Sequence, residues 1–273
     1  MTVTPDDSLF DVAGRVVIVT GGLGLLGRQF CRMLAARGAK VAAFDCAADD
    51  HRGAEAFGDE RARILSLAVD VIDRRSIEAA LAIVNGRLGK PDGLVNAAAL
   101  DSPPDAPAAE NGPFETYPEE SWDRVMDVNV KGTMLCCQII GSQMAGAGGG
   151  SIVNVSSIYG LVSPDQRVYE YRRAFGAFFK PVAYSVSKSA VLNLTRYLAT
   201  YWAGRNVRVN TVTFGGVFNG QDPQFLTRYV DRVPLGRMAR DDEYNGSILF
   251  LLSDASSYMT GANLVIDGGW TAW

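Results

Sequence analysis

The run Arg15–Thr20 (RVVIVT) is short, rich in β-branched residues and ends on glycines, which is the pattern of a strand buried on both faces. Behind it Leu26, Phe30, Met33 and Leu34 recur at helical spacing up to Gly38, which suits a C-terminal cap, and Val41 to Phe44 open a second strand. That is a βαβ unit, and parallel strands joined this way need helices covering the sheet. The turn Gly21-Gly22-Leu23-Gly24-Leu25-Leu26-Gly27 spaces its glycines G-x-x-G-x-x-G, at the place where a dinucleotide pyrophosphate would meet a helix N-terminus. Gly21 would serve the tight turn, Gly24 close approach of the cofactor and Gly27 helix-to-strand packing. Asp45 ends the second strand, placed to accept hydrogen bonds from an adenosine ribose and to repel a 2′-phosphate. It favours NAD over NADP, while Arg28 argues the other way.

The same alternation continues along the chain. Ile64–Val69 reads as a third strand leading into Asp70-Val71, which in this topology can hold the adenine edge, and a helix follows from about Arg75 to Leu88. Gly93–Asn96 is a fourth strand ending in Asn96-Ala97-Ala98-Ala99, small residues that either let a cofactor lie close or simply pack tightly. Trp122, Val125, Met126, Val130, Met134, Leu135 and Ile139 mark a long helix that Asn129 interrupts, and a buried amide there needs partners. Ser151–Val155 is a fifth strand running into Ser156-Ser157, Val182–Ala203 a helix, and Val207–Val212 a sixth strand before the turn Phe214-Gly215-Gly216-Val217. A helix at Glu243–Leu252 and a strand at Asn263–Ile266 complete the series.

The pattern predicts one α/β domain over residues 1–273: a Rossmann-type doubly wound parallel sheet of about seven strands with helices on both faces. Three segments read as substrate-loop insertions, near 100–118, 161–181 and 218–240. The first carries Pro103, Pro104, Pro107, Pro113 and Pro118. The second sets Arg167, Arg172, Arg173 and Lys180 against Asp165 and Glu170, with Tyr169, Tyr171, Phe175, Phe178 and Phe179 interleaved. It reads either as a grip for a phosphate or sugar ring or as a solvated helix with one aromatic face. Phe225 to Met238 in the third has the look of a mobile segment.

Charge and composition narrow the chemistry. A net charge of −4 gives no support for a nucleic-acid or anionic-membrane partner, and leaves small-molecule substrates. No apolar run approaches the roughly 18 residues of a membrane helix, and Met1 to Asp11 lacks the features of a signal peptide, so a cytoplasmic location is expected. Cys31, Cys46, Cys136 and Cys137 show no C-x-x-C spacing, and His51 is the single histidine. No metal site is expected, and a Ser-His-Asp hydrolase is disfavoured.

Tyr184 and Lys188, four residues apart, meet on one helical face. Using a tyrosine phenolate near neutral pH means lowering its pKa by about 3 pH units, roughly 4 kcal/mol, and a lysine one turn on supplies part of that. In isolation Y-x-x-x-K is more simply a packed tyrosine beside a solvated lysine, so the pair needs a context.

The context is a resemblance. Strand-end glycines, Asn96-Ala97, Asn129, Ser157, Tyr184-x-x-x-Lys188 and Asp267-Gly268-Gly269 occur in the order found in short-chain dehydrogenases/reductases, and the chain resembles that family from Gly14 to Gly269. Ser156 to Gly160, Asn111-Gly112-Pro113-Phe114 and Gly261 to Trp273 are similar in wording to the flagellin modification protein A branch, associated with bacterial surface-sugar biosynthesis. The resemblance implies Tyr184 as general acid/base, Lys188 as its pKa-lowering neighbour and a ligand of the nicotinamide ribose, Ser157 as a hydrogen-bond partner of the substrate oxygen, and Asn129 as holder of a relay water. Implied cofactor contacts are Gly21, Gly24, Leu25, Leu26 and Gly27 at the turn, and Asp45, Asp70 and Val71 at the adenosine. Asn96, Ala97, Ala98, Gly215 and Val217, with Tyr184 and Lys188, complete them.

The implied reaction interconverts a secondary alcohol and a ketone with NAD, less readily NADP, on a sugar phosphate or nucleotide sugar. The alternatives are a sugar-nucleotide epimerase or dehydratase that recycles its NAD, and a non-catalytic dinucleotide sensor. Three departures stand out. The glycine spacing matches the extended branch of the family, but the chain ends at Trp273 without the additional C-terminal substrate domain usual there. Phe214 replaces the usual proline, and the stretch from Ser157 to Tyr184 is longer than usual. The family also implies a homotetramer or homodimer built on the helices of Asn129 and Tyr184 and on the last strand. The apolar Trp270–Trp273 tail is expected at a subunit interface or over a neighbouring substrate cleft.

Overall fold

Seven short apolar runs line up as parallel neighbours in the computed structural model, which describes residues 7–101, 110–176 and 178–273. They are β1 (Val16–Thr20), β2 (Lys40–Asp45), β3 (Ile64–Ala68), β4 (Gly93–Asn96), β5 (Gly150–Ser157), β6 (Val207–Phe214) and β7 (Asn263–Ile266). Their order across the sheet is β3-β2-β1-β4-β5-β6-β7. The chain therefore winds outward from β1 to β3, returns to β4 and winds outward again. The reversal between β1 and β4 opens a crevice at the C-terminal ends of the strands, where ligands bind in sheets of this kind. Register brings the chemistry to that edge: Thr20 pairs with Asn96, Asn96 with Asn154, and Ser157 with Phe214.

Alternate residues of each strand face different cores. Ile18, Phe44, Leu94 and Ile152 pack with Leu135, Ile140, Met144 and Trp202 on one face, whereas Val17, Val19, Val95 and Val153 pack with Phe30, Leu34, Tyr244 and Ile248 on the other. Burial of both faces explains why β1 and β4 read as continuous apolar runs. A third cluster, including Tyr159, Tyr169, Phe178, Phe225, Tyr229 and Trp270, lies apart from both. Among the described residues no helix is long and apolar enough to cross a membrane.

Several expectations are corrected. Strands β5 and β6 run on through Ser156-Ser157 and Thr213-Phe214, because backbone pairing continues where the side chains turn polar or aromatic. The expected mobile segment Phe225–Met238 begins within a helix, Pro223–Val230, whose first turn is capped by Asp222, with Pro223 at its start. The 161–181 stretch forms a short helix, Ile158–Leu161, and 3₁₀ turns over Gln166–Phe175. Residues 119–147 are helical throughout, with two π-type stretches, Asp127–Gly132 and Cys137–Gly141, and Asn129 lies in the first. Trp270 is buried within its own chain, stacked on Tyr229 at 4.4 Å between ring centroids. Trp273 is 75% exposed. Pro103, Pro104 and Pro107 lie outside the described residues.

The glycine turn shows why the first βαβ unit closes so tightly. Gly21 has φ +66°, a conformation that side chains disfavour, and a Cβ on it would sit 2.8 Å from the Ala98 backbone. A Cβ on Gly27 would lie 2.1 Å from the Gly21 carbonyl oxygen. Gly27→Ala should therefore push the Leu25–Ala36 helix off β1, at about 1–3 kcal/mol and a loss of several degrees in Tm. Thermal unfolding checks this, and an unchanged Tm would mean the helix slides away from the strand at no cost.

Candidate active site

The helix Val182–Trp202 is pressed onto the end of β5 with almost nothing between the two backbones. A Cβ on Gly160 would meet the Lys188 carbonyl carbon at 2.7 Å, so glycine is needed for this approach. Ser156 Oγ donates to the Lys188 carbonyl at 2.8 Å, Ser189 Oγ donates to the Gly160 carbonyl at 2.8 Å, and Lys188 Nζ donates to the Val155 carbonyl at 3.0 Å. Lys188 is left 4% exposed, with its ammonium 5.8 Å from the centre of the Tyr184 ring. Ser157, at the end of β5, shares a hydrogen bond with the Tyr184 phenol and accepts one from the Tyr159 amide at 3.2 Å. The structure thus brings Ser157, Tyr184 and Lys188 together: the helical spacing predicts the meeting of the last two, and the family resemblance implies Ser157 beside them.

Their electrostatics differ from the sequence expectation. Burial pushes the Tyr184 phenol well above its ordinary value, the Asp101 carboxylate adds to this, and the Ser157 hydrogen bond opposes it. Burial also pulls Lys188 down to about 8, against an opposing effect of Asp101. The expected lowering of the phenol by Lys188 is therefore outweighed by desolvation of both groups.

Asn129 is 1% exposed and its amide is engaged by the protein. Its Oδ1 accepts from the Leu100 amide at 2.7 Å, and its Nδ2 donates to the Leu100 carbonyl at 3.0 Å and to Ser187 Oγ at 2.9 Å. Ser187 in turn donates to the Tyr184 carbonyl at 2.7 Å. Asn129 thus ties the loop after β4 to the helix of Tyr184, and both its N–H protons are spent on that tie.

The nucleotide half is built from the turn after β1 and the ends of β2, β3 and β4. The Leu25–Ala36 helix starts at Gly24 with no side-chain cap and no acid in its first turn, which leaves the amides around Leu25, Leu26 and Gly27 suited to an anion. Asp45 accepts from the Leu23 amide at 3.1 Å and the Ala47 amide at 3.0 Å, so its carboxylate braces this turn. Thr20 Oγ1 accepts from the Ala97 and Ala98 amides at 3.2 and 3.1 Å. Asn96 donates to Asn154 Oδ1 at 2.8 Å, and its own Oδ1 is buried without a partner among the described residues. Asp70 is exposed and accepts from the Ile72 amide at 3.0 Å, while Val71 is buried against Gly132. These groups fit a dinucleotide: a glycine cradle, an uncapped helix start and a carboxylate at the end of β2.

Where the two halves meet lies a cavity of about 330 Å³. Leu26, Ala97, Gly215 and Val217 line it from the nucleotide side, with Ser157, Tyr184 and Lys188 beside them. Asp45, Asp70 and Val71 lie outside it, at the ends of β2 and β3. Phe214 stacks on Tyr244 at 4.0 Å and closes the floor where the family's proline would be. The far wall comes from the two inserted stretches, with Tyr169, Phe178 and Lys180 from one and Gln221, Phe225 and Tyr229 from the other.

Among the basic residues of the 161–181 stretch whose side chains are described, Lys180 lines the cavity. Arg167 forms a two-point pair with Asp165 at 2.9 and 2.8 Å, and Arg172 lies over the Phe178 ring at 5.1 Å. Lys180 is paired with Asp101, and its ammonium sits 4.9 Å from the centre of the Tyr184 ring. Sequence reasoning missed Asp101, Ser156, Gly160 and Ser187 as parts of the site. A serine next to Lys188 and a glycine after Ser157 were the available signals.

The family model described as enoyl-(acyl carrier protein) reductase matches residues 24–271. The chain is 35% identical to a D-threitol dehydrogenase of Mycolicibacterium smegmatis, over 96% of this chain and 95% of that protein. It is 32% identical to an NAD-dependent glycerol dehydrogenase of Listeria innocua, over 99% of each chain. Among solved structures, a short chain dehydrogenase of Leptospira borgpetersenii with bound NAD⁺ superposes with a TM-score of 0.84 at 28% identity, covering 99% of this chain and 98% of the other. Sequence, fold and site geometry thus agree that the chain belongs to the short-chain dehydrogenase/reductase family of NAD(P)-dependent oxidoreductases of CH–OH groups.

Proposed function

We propose that this enzyme interconverts a secondary alcohol and a ketone in a neutral polyol, with NAD as the preferred cofactor. The observation that carries the choice of substrate is the charge of the far wall. Lys180, which lines that wall, is neutralised by Asp101, and Arg167, which lies outside the lining, is committed to Asp165. Arg232 also pairs with Asp165, at 2.5 Å, and Arg228 with Glu170, at 3.3 Å. A phosphate would have to break such a pair to be held. The names of the threitol and glycerol dehydrogenases point the same way. The expected sugar phosphate or nucleotide sugar, and the flagellin-modification branch with it, gain nothing from this wall. We favour NAD because Asp45 stands at the end of β2, where a 2′-phosphate would meet its carboxylate.

Bound NAD would supply the hydride acceptor for oxidation and the hydride donor for reduction at the carbinol carbon. The protein handles the proton and the oxygen. In oxidation Ser157 holds the substrate oxygen and Tyr184, as phenolate, takes the hydroxyl proton; in reduction the Tyr184 phenol returns it. Lys188 holds a positive charge beside the phenol and would hydrogen-bond the nicotinamide ribose of a bound cofactor. Asn129 acts through position, fixing the helix that carries both groups. The stretches 161–181 and 218–240 serve as substrate loops on one domain, a reading supported by the side chains that both give to the cavity wall. Assembly through the helix of Tyr184 is supported by Tyr197 and Tyr201, which stack on each other while 63% and 64% exposed.

Tyr184→Phe should bind NADH as the parent does and lose about 10²–10⁴-fold in kcat/KM on polyols. Full turnover by this variant would remove Tyr184 from the mechanism. A screen of threitol, glycerol and hexitols beside their phosphate esters, read by absorbance of NADH, should find turnover among the unphosphorylated compounds; turnover confined to the esters would overturn the substrate assignment. Because burial and Asp101 both hold the phenol protonated, oxidation should accelerate as pH rises from about 6 to 10, with no matching rise for reduction. A flat profile for oxidation would exclude a titrating base.

A further inference from the structure

Lys180 and Asp101 belong to neither the nucleotide turn nor the Ser157, Tyr184 and Lys188 set, yet both line the same cavity. We propose that this pair is a specificity device that selects substrates carrying a hydroxyl on the carbon next to the reacting one, that is, vicinal diols and the matching hydroxyketones. The inference rests on the reading above that Ser157 and Tyr184 mark the reacting carbon.

Lys180 is brought to the site deliberately by the chain around it. Its amide donates to Gln166 Oε1 at 2.8 Å and its carbonyl accepts from Gln166 Nε2 at 3.2 Å, so one side chain clamps both backbone groups. Pro181 follows immediately and begins the helix of Tyr184. With its backbone fixed on both sides, the Lys180 side chain extends across the ring of Tyr184 and is 8% exposed, whereas Asp101 is 50% exposed.

Sinking an ammonium to that depth is costly, and an apolar side chain among Tyr169, Phe178 and Phe225 would fill the wall with less desolvation. The buried charge is therefore better explained by something it recognises. A hydroxyl is donor and acceptor at once. An ammonium offers it protons and a carboxylate offers it lone pairs, so a Lys–Asp pair can engage one hydroxyl from both ends. The pair is neutral overall, which suits a hydroxyl and not a phosphate. Its ammonium lies 4.9 Å from the centre of the Tyr184 ring, so the pair faces the same part of the cavity as the phenol. Ile158, Phe178, Phe225 and Met238 offer apolar contact, and the polar ends of Tyr159, Tyr169, Gln221 and Tyr229 are already engaged with one another or with the backbone.

The test compares kcat/KM for butane-2,3-diol and butan-2-ol, which differ by one hydroxyl, in the parent, Lys180→Met, Asp101→Asn and Lys180→Arg, with NADH binding measured in each. The parent should prefer the diol by tenfold or more, Lys180→Met should cut that preference by about tenfold or more, and Asp101→Asn should cut it as well. Lys180→Arg should restore part of it. NADH binding within about twofold of the parent shows that the variants are folded, and a general loss of structure would lower both substrates together without moving their ratio. A ratio that stays within twofold in Lys180→Met, or a parent that takes both alcohols equally, overturns the proposal while leaving alcohol oxidation standing. If the parent oxidises neither alcohol and acts on phosphate esters alone, the underlying substrate reading falls and takes this inference with it.

Discussion

Everything at this site depends on one contact, the docking of the Tyr184 helix backbone onto the end of β5. Gly160 leaves room for it, and Ser156 and Ser189 each spend a hydroxyl on a carbonyl across the joint. Close approach of two backbones leaves no place for a layer of water. The tyrosine and lysine of this helix are consequently desolvated, and their protonation is set by the few groups that reach them. A looser joint would return both to their ordinary pKa values and lose the fixed distance between them.

Around the phenol stand two ammonium groups and one carboxylate: Lys188 at 5.8 Å from its ring centre, Lys180 at 4.9 Å, and Asp101 bound to Lys180. The carboxylate pushes up both Tyr184 and Lys188. With desolvation acting on the tyrosine in the same direction, the protein's own groups hold the phenol protonated at neutral pH. That is the form needed to give a proton in ketone reduction. Oxidation asks for the opposite form, and added positive charge next to the ring is the physical means of reaching it. The site is thus biased by burial and left adjustable by charge.

The fold was legible because its signals are local. The glycine turn, the apolar strands and the Tyr184-to-Lys188 spacing each lie within a few residues, and the sheet follows from repeating them. What could not be read joins distant segments. Asp101 and Lys180 are 79 residues apart, and in sequence Lys180 is one more cation in a basic stretch. Nothing local separates it from Arg167, which turns back onto Asp165. Asn129 was visible as an odd amide in an apolar helix, but its partners Leu100 and Ser187 are set by tertiary packing. Trp270 likewise finds its stacking partner, Tyr229, only through tertiary packing.

That stack also explains how a phenylalanine can replace the usual proline at the start of the turn after β6. A proline stiffens such a turn through its own ring. Here the turn is held from outside. Phe214 lies face to face with Tyr244, whose hydroxyl donates to the Gly215 carbonyl at 3.0 Å. The Gly216 amide donates to Tyr229 Oη at 2.6 Å, and Tyr229 rests on Trp270. Gly215 and Gly216 must be glycines for this, since a Cβ on the first would meet the Asp267 backbone at 2.9 Å and one on the second would meet Tyr229 Oη at 2.7 Å. Rigidity has moved from a ring in the main chain to aromatic side chains supplied by the C-terminal third. One of them, Tyr229, is also a wall of the cavity, so the groups that fix the turn beside the nicotinamide side are in direct contact with the groups that shape the substrate side.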